Sequence, residues 1–414
     1  MSIARENFDA VVIGAGAAGL ACAGRLAAHG AKTVILEHGS RAGRKILITG
    51  GGRCNITNAL KTVQFAKRFG EKWHFVLPAL KHFSPESLRE FFAAKGVKTV
   101  LTDDFHYFPE SGRAQDILDA LLAGCRDAVF KYNFSPERIM VSPGGEVAGV
   151  CGSGGEIYAP RVIVCCGGTS YPGTGSDGSG YKLAGNLGHH IVTPVPAMVG
   201  LRTSETWPGE CAGISLPDAE LSIAMPGEKS RCRGELLFTK QGISAFAVLD
   251  ISGRIARMLL QNKNIPVKLN LIASSNKEHI IQIFQEARQR SGTRSVGKIL
   301  SAYLPKKLIP VVCPVPETAA ARFSTADMRI TAANITEMQL HICATDGWQK
   351  AQVTAGGVDI GEVDEKTLES KLVKGLFFAG EVLDIDGPCG GYNLQWAVSS
   401  GVLAATAAAA LHHG

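Results

Sequence analysis

The segment FDAVVIGAGAAGLACAGRLAAHGAKTVILE, Phe8–Glu37, decides the fold. Phe8–Ile13 is a short apolar run suited to a buried parallel strand. Gly14-Ala15-Gly16-Ala17-Ala18-Gly19 follows at once. Leu20–His29 has helical character and stops at Gly30, and Thr33–Leu36 is a second buried strand closed by Glu37. The order is strand, G-x-G-x-x-G, helix, strand, acid. Gly14 permits a tight turn, Gly16 lets the backbone reach a pyrophosphate, and Gly19 lets the helix pack close to the strand. The pyrophosphate then rests on the unpaired N–H groups and positive dipole end of the helix. Glu37 lies eighteen residues after Gly19 and can accept hydrogen bonds from ribose hydroxyls. This arrangement predicts a dinucleotide site, with Ala15, Ala17 and His38 on the same two loops.

The residues beyond Glu37 favour FAD over a nicotinamide cofactor. Arg41, Arg44, Lys45 and Arg53 occur without an acid among them, beside the glycine run Gly50-Gly51-Gly52 and followed by Cys54 and Asn55. Glycines and cations in that position suit the phosphates and ring of an extended FAD. Gly39–Lys45 lacks the spacing and the Lys-Ser/Thr ending of a P-loop, which argues against ATP. Near the other end, Gly375–Glu381 (GLFFAGE) is a strand running into Gly380-Glu381. A loop with Asp386, Cys389, Gly390, Gly391, Tyr392, Asn393 and Leu394 follows, then a helix of small residues. A strand–loop–helix unit there implies a discontinuous domain whose second helix aims its N–H groups at the flavin.

One further glycine cluster imitates the fingerprint. Gly173, Gly175 and Gly178 follow the strand Arg161–Cys166, but Gly167–Pro172 intervenes and no acid stands twenty residues on. We read Gly167–Gly180 as a loop beside the cofactor, with Gly167 and Gly168 touching it, followed by a short helix from Tyr181. A nicotinamide donor, if used, docks transiently over the flavin.

Composition narrows the class. Glycine makes up 48 of 414 residues, about 12% against a usual ~7%. With 45% hydrophobic and 19% charged residues the chain is globular rather than disordered. The formal charge, 43 − 37 = +6, permits a polyanionic partner without demanding one. Eleven cysteines without a C-x-x-C pair point to a reducing cytoplasm and away from dithiol flavoenzymes. Ala10–Gly24 is interrupted by glycines and preceded by Asp9, so it is not a signal core. No run of 18 strongly apolar residues exists, so no membrane helix is expected. Gly401–Leu411 reads as a terminal helix. His189-His190 and His412-His413 are adjacent pairs, whose side chains rarely face one metal, and no metal site is expected.

From about Val195 the pattern becomes β-rich, with Ala219–Ala224 and Glu235–Phe238 as short strands. Ile251–Leu260 and Glu278–Arg290 have helical periodicity. Ala287–Lys307 carries Arg288, Arg290, Arg294, Lys298, Lys306 and Lys307 with no acid, a candidate contact surface for a phosphate backbone.

The runs GRKILITGGGRCNITN (Gly43–Asn58), GELLFTKQGIS (Gly234–Ser244), VTAGGV (Val353–Val358) and GLFFAGEVLDIDGPCGGYNLQWAVSSG (Gly375–Gly401) resemble the BaiN/RdsA-type family of NAD(P)/FAD-dependent oxidoreductases along essentially the whole chain. That resemblance implies an α/β protein whose discontinuous Rossmann-like FAD domain, 1–194 with 351–414, is of the glutathione-reductase kind. A β-rich domain (195–250 with 335–350) and a small helical domain (251–334) are inserted in it. One branch implies NAD(P)H-dependent reduction of uridine to dihydrouridine in large-subunit ribosomal RNA, with hydride to C6 and a proton to C5. Other members imply oxidation of aminoacetone-type amines or reduction of steroid-like enones. A third reading is a non-catalytic flavoprotein that binds RNA. Cys54 and Cys389 are candidate proton donors, and Tyr392 and Asn393 candidates for orienting the substrate.

Overall fold

The computed structural model describes residues 6–103 and 105–410. Leu411 and the pair His412-His413 lie outside the described residues. The chain divides into two compact units, 1–195 with 353–414, and 196–352.

The first unit is built on a five-stranded sheet of β1 (Ala10–Ile13), β2 (Thr33–Leu36), β3 (Val129–Lys131), β4 (Val162–Val164) and β5 (Leu376–Phe378). The strands lie in the order β5-β4-β1-β2-β3, all parallel. β1, β2, β4 and β5 are wholly buried, which is why they read as unbroken apolar runs. The chain leaves β1 toward β2 on one side, while β4 lies on the other. A ligand crevice opens at such a reversal, outside the carboxyl ends of the strands. Register then fixes what stands on that edge. Ile13 pairs with Leu36 and Val164, and Val164 with Phe378. Gly14, Glu37, Cys165 and Ala379 therefore begin four loops along one line.

Two helices finish the edge. Helix α1 (Ala17–Ala28) follows the first loop, and α2 (Tyr392–Ala410) the last. Their approach depends on missing side chains. A Cβ on Gly19 would lie 1.9 Å from the Gly14 carbonyl oxygen, and one on Gly401 2.3 Å from that of Ala18. A small antiparallel sheet, Thr57–Asn58, His106–Pro109 and Thr99–Thr102, belongs to the same unit. No sequence signal foretold it.

The second unit is a closed six-stranded antiparallel barrel in the order Leu201–Thr203, Gly242–Ser244, Arg231–Thr239, Ser215–Ile223, Ile265–Asn270 and Met338–Thr345. Leu221, Phe238 and Leu340 of the barrel share one apolar core with Ile255, Phe284 and Ile335 of the helices. Barrel and helices are thus one unit, not two cores. Of the six basic residues singled out in this region, Arg290, Arg294, Lys298, Lys306 and Lys307 are exposed. Arg288 differs. It is half-buried and its guanidinium donates to the Phe323 carbonyl, so it holds the helix Lys277–Arg290 in place rather than facing solvent.

The α1 approach yields a stability prediction. Gly19→Ala forces backbone apart and should cost about 3 kcal/mol, the upper end for overpacking. Urea denaturation measures it; a loss under about 1 kcal/mol would show that the helix is free to shift.

Candidate functional site

The loop after β1 presents backbone donors and open space. Gly14 has φ 98°, and nothing lies within 4 Å of where a Gly16 Cβ would be. Gly16 caps α1 without any side-chain hydrogen bond, and the first turn holds no acid. The N–H groups of Ala17, Ala18 and Gly19 are therefore left for an anion. Glu37 Oε2 accepts from Ala15 N at 2.8 Å and Oε1 from Gly39 N at 2.7 Å. These bonds hold the carboxylate beside the glycine loop with lone pairs to spare for a diol. His38 is exposed next to it.

Two sequence-predicted basic residues are engaged within the protein. Arg44 Nη2 donates to the Gly173 carbonyl at 2.5 Å. Lys45 Nζ donates to Ser170 Oγ (2.5 Å) and Glu381 Oε2 (2.7 Å). Glu381 Oε1 also accepts from Ser170 Oγ (2.7 Å) and Thr354 N (2.8 Å). Thr354 Oγ1 in turn accepts from Thr169 N and Ser170 N at 2.8 and 3.1 Å. Gly168 makes room for this knot, since its Cβ would fall 2.2 Å from Thr354 Oγ1. Gly167, at φ 71°, turns the chain after β4. The knot ties loops from the start, middle and end of the chain. Ser170 and Thr354 were not anticipated, because hydroxyls in loops carry no sequence signal of their own.

The Gly50–Gly52 run and the Cys389–Asn393 loop meet at the small sheet. Gly50, Gly51 and Gly52 all have positive φ, at 58°, 66° and 86°, and Cys54 follows at 62°. Arg53 is exposed and stacks on Phe108 at 4.8 Å. Asn58 Nδ2 donates to the Gly390 carbonyl at 2.9 Å, and a Cβ on Gly391 would touch the Thr57 backbone at 2.8 Å. Gly380 is pinned to α2 by Ser400 Oγ, which accepts its N–H at 2.9 Å, and by Trp396 Nε1, which donates to its carbonyl at 3.2 Å. Lys72 Nζ bridges Asp384 (2.7 Å) and Asp386 (3.4 Å), so Asp386 shapes this loop. Leu394 is half-buried on the first turn of α2.

Three of the four candidate reacting residues have defined surroundings. Cys54 is fully buried, and burial pushes its thiol up to about 12. It packs inside the turn and offers no open face. Tyr392 is buried, its ring 4.6 Å from Phe65 and 6.1 Å from Phe69. Its ring anchors the start of α2. Asn393 uses both amide atoms on its own loop: Oδ1 accepts from Gly387 N (2.8 Å) and Nδ2 donates to Gly387 O (2.9 Å). Cys389 is half-buried on the same loop.

The cradle fits an FAD. Its open Gly16 face and uncapped α1 suit the pyrophosphate, and Glu37 suits a ribose. Asn55 Oδ1 and Thr169 Oγ1, on the two flanking loops, are buried without a hydrogen-bond partner. Such atoms call for a polar ligand. Among the described residues, no group of three or more His, Cys, Asp or Glu could hold a metal, and no helix could cross a membrane. The adjacent His189 and His190 turn to different acids, Glu362 at 3.0 Å and Asp359 at 3.2 Å.

A family model described as the HI0933-like protein Rossmann domain matches residues 8–407. A 3-dehydro-bile acid delta(4,6)-reductase of Clostridium scindens is 35% identical over 407 residues, 96% of this chain and 98% of that protein. A ribosomal RNA dihydrouridine synthase of Haemophilus influenzae is 34% identical over 409 residues, 97% of each. Among solved structures, a 3-ketosteroid delta1-dehydrogenase of Sterolibacterium denitrificans in complex with 1,4-androstadiene-3,17-dione aligns with TM-score 0.53 at 13% identity, over 98% of this chain and 100% of that one. That last likeness is one of fold.

Two outcomes test the site. Gly16→Ala meets open space, so it should leave stability within about 1 kcal/mol while filling the pyrophosphate cradle. Purified protein should then carry less than a tenth of the flavin of the parent, read from its visible absorbance; full occupancy would move the pyrophosphate elsewhere. At pH 8, iodoacetamide should alkylate the exposed Cys343 and leave Cys54 intact in the folded protein. Equal labelling of the two, by peptide mass spectrometry, would show an open thiol at Cys54.

Proposed function

The chain belongs to the HI0933-like Rossmann family of FAD-dependent oxidoreductases, and on that premise we propose that it uses NAD(P)H to reduce a conjugated carbon–carbon double bond, with uridine of large-subunit ribosomal RNA as substrate and dihydrouridine as product. One observation carries the reading: among the described residues, the first unit offers a single dinucleotide cradle, at β1. β4 runs instead into a loop that closes on itself, Gly178 N donating to the Gly168 carbonyl at 3.1 Å. A nicotinamide donor then has no fold unit of its own and shares the flavin's site. Both full-length relatives bear names that denote saturation of a carbon–carbon bond.

When bound, the flavin supplies the two-electron chemistry. The chain holds it through the α1 amides, Glu37 and the glycine loops. It also fixes the C-terminal loop through Lys72 and Asn393. The phosphate backbone of an RNA substrate would meet Arg290, Arg294, Lys298, Lys306 and Lys307, with Tyr303 exposed among them. A small enone is the second reading, favoured by the 35% identity to the bile-acid reductase.

The decisive test is nucleoside mass spectrometry of ribosomal RNA from a deletion strain. One dihydrouridine should disappear and return with the parent gene. The triple variant R290E/R294E/K298E should bind FAD and fail to restore it. Unchanged dihydrouridine in the deletion strain would sink the RNA reading, and turnover of an enone by the purified protein would then establish the second.

A further inference from the structure

Saturating a double bond needs a proton as well as a hydride, and Cys54, sealed in its turn, does not deliver one. The small sheet holds a different group. His106 opens the strand His106–Pro109, and its Nδ1 lies 2.8 Å from Asp103 Oδ2 and 3.0 Å from Oδ1. Asp103 sits at φ 47°, a conformation uncommon for a residue with a side chain. The bonds that hold it there all run to the same turn. His106 N donates to Asp103 Oδ1 (3.2 Å), and Thr102 Oγ1 lies 3.3 Å from that oxygen and 3.2 Å from the His106 carbonyl. The imidazole is thus aimed by a carboxylate on one nitrogen.

The other nitrogen faces the C-terminal loop. A Cβ on Gly390 would stand 3.1 Å from His106 Nε2, so the ring lies close against this glycine. Phe105 packs edge-on against the imidazole at 4.8 Å. The side chain is a quarter exposed. Nε2 therefore reaches the place where the two glycine loops converge, beside the first turn of α2. Among the described residues, the charged and titratable groups nearby include Asp103 on its own turn, Arg53 over Phe108, Cys389 on the C-terminal loop and Tyr392 on the first turn of α2. The hydrogen bond from His106 holds the Asp103 carboxyl below its ordinary range, so it stays an acceptor.

Resting on the reading of the chain as a double-bond reductase, we propose that His106 is its proton donor and Asp103 the residue that positions it. The imidazolium carries a proton on each nitrogen, with Nδ1–H held by Asp103. As hydride from the bound two-electron donor forms a C–H bond at one end of the double bond, the π pair moves to the other carbon. That carbon takes the Nε2 proton: the N–H bond breaks, a C–H bond forms, and neutral imidazole is left to regain a proton from water. The double bond is reduced by two electrons, and the hydride donor is oxidised by two.

Rapid mixing uses the FAD-loaded enzyme, and labelling compares that enzyme with the same protein stripped of FAD. In the absence of turnover, diethyl pyrocarbonate should modify His106, and FAD with 2-cyclohexen-1-one should slow that modification at least tenfold, read by peptide mass spectrometry. In rapid mixing, the pre-reduced enzyme is reoxidised by the enone or by a uridine-containing ribosomal RNA transcript. His106→Gln should slow reoxidation about a hundredfold, the lower range for general acid catalysis, with reduction by NADPH within twofold of the parent. The parent rate should fall as pH rises, because the donor must carry its proton, and the variant should lack that limb. Asp103→Asn should slow reoxidation less than His106→Gln and keep the limb. Parent enzyme that neither probe reoxidises overturns the double-bond reading and this proposal with it. Parent turnover matched by His106→Gln, with the same pH limb, or His106 modified at one rate with and without FAD and enone, overturns the proposal alone.

Discussion

Everything at the sheet edge depends on one close approach, the Gly14 carbonyl against Gly19. Only a residue without a Cβ allows α1 to start so near β1. That contact fixes where the uncapped amides of Ala17 and Ala18 point, and the parallel register does the rest. Because Ile13, Leu36, Val164 and Phe378 share a line, four loops of very different sequence position open on the same crevice. Gly14, Glu37, Gly168 and Glu381 meet there although 367 positions separate the first from the last.

Polar ties join the loops that line the crevice. Lys45, Ser170, Thr354 and Glu381 form a connected group drawn from four segments. Lys45 and Glu381 are each about one-quarter exposed, so water screens their attraction in part. Their value lies in geometry: each donor and acceptor fixes a loop that must leave room for a ligand. The C-terminal loop is treated the same way, with Lys72 across Asp384 and Asp386 and the Asn393 amide across Gly387.

The legible part of the sequence was the part governed by local rules. Buried parallel strands read as apolar runs, and the fingerprint from Gly14 to Gly19 with Glu37 read as a cradle because each residue type has a local mechanical reason. Roles set by tertiary partners were not legible. Arg288 looked like its exposed neighbours until its bond to the Phe323 carbonyl was seen. Tyr392 and Asn393 sit in a motif-rich loop, yet one is an aromatic anchor and the other a loop clamp. His106 and Asp103 are three residues apart on an irregular turn, where no periodicity marks them. The shared core of barrel and helices, likewise, joins residues as distant as Leu221 and Ile335.

The central claim is that the sheet edge is one FAD cradle and that the described residues form no second dinucleotide site. The most direct measurement is the number of flavin molecules released per chain when the purified protein is heat-denatured, identified by chromatography. One FAD per chain, with no tightly held nicotinamide nucleotide, is the predicted result; a chain that releases no FAD after reconstitution, or FAD together with an equimolar nicotinamide nucleotide, would contradict it.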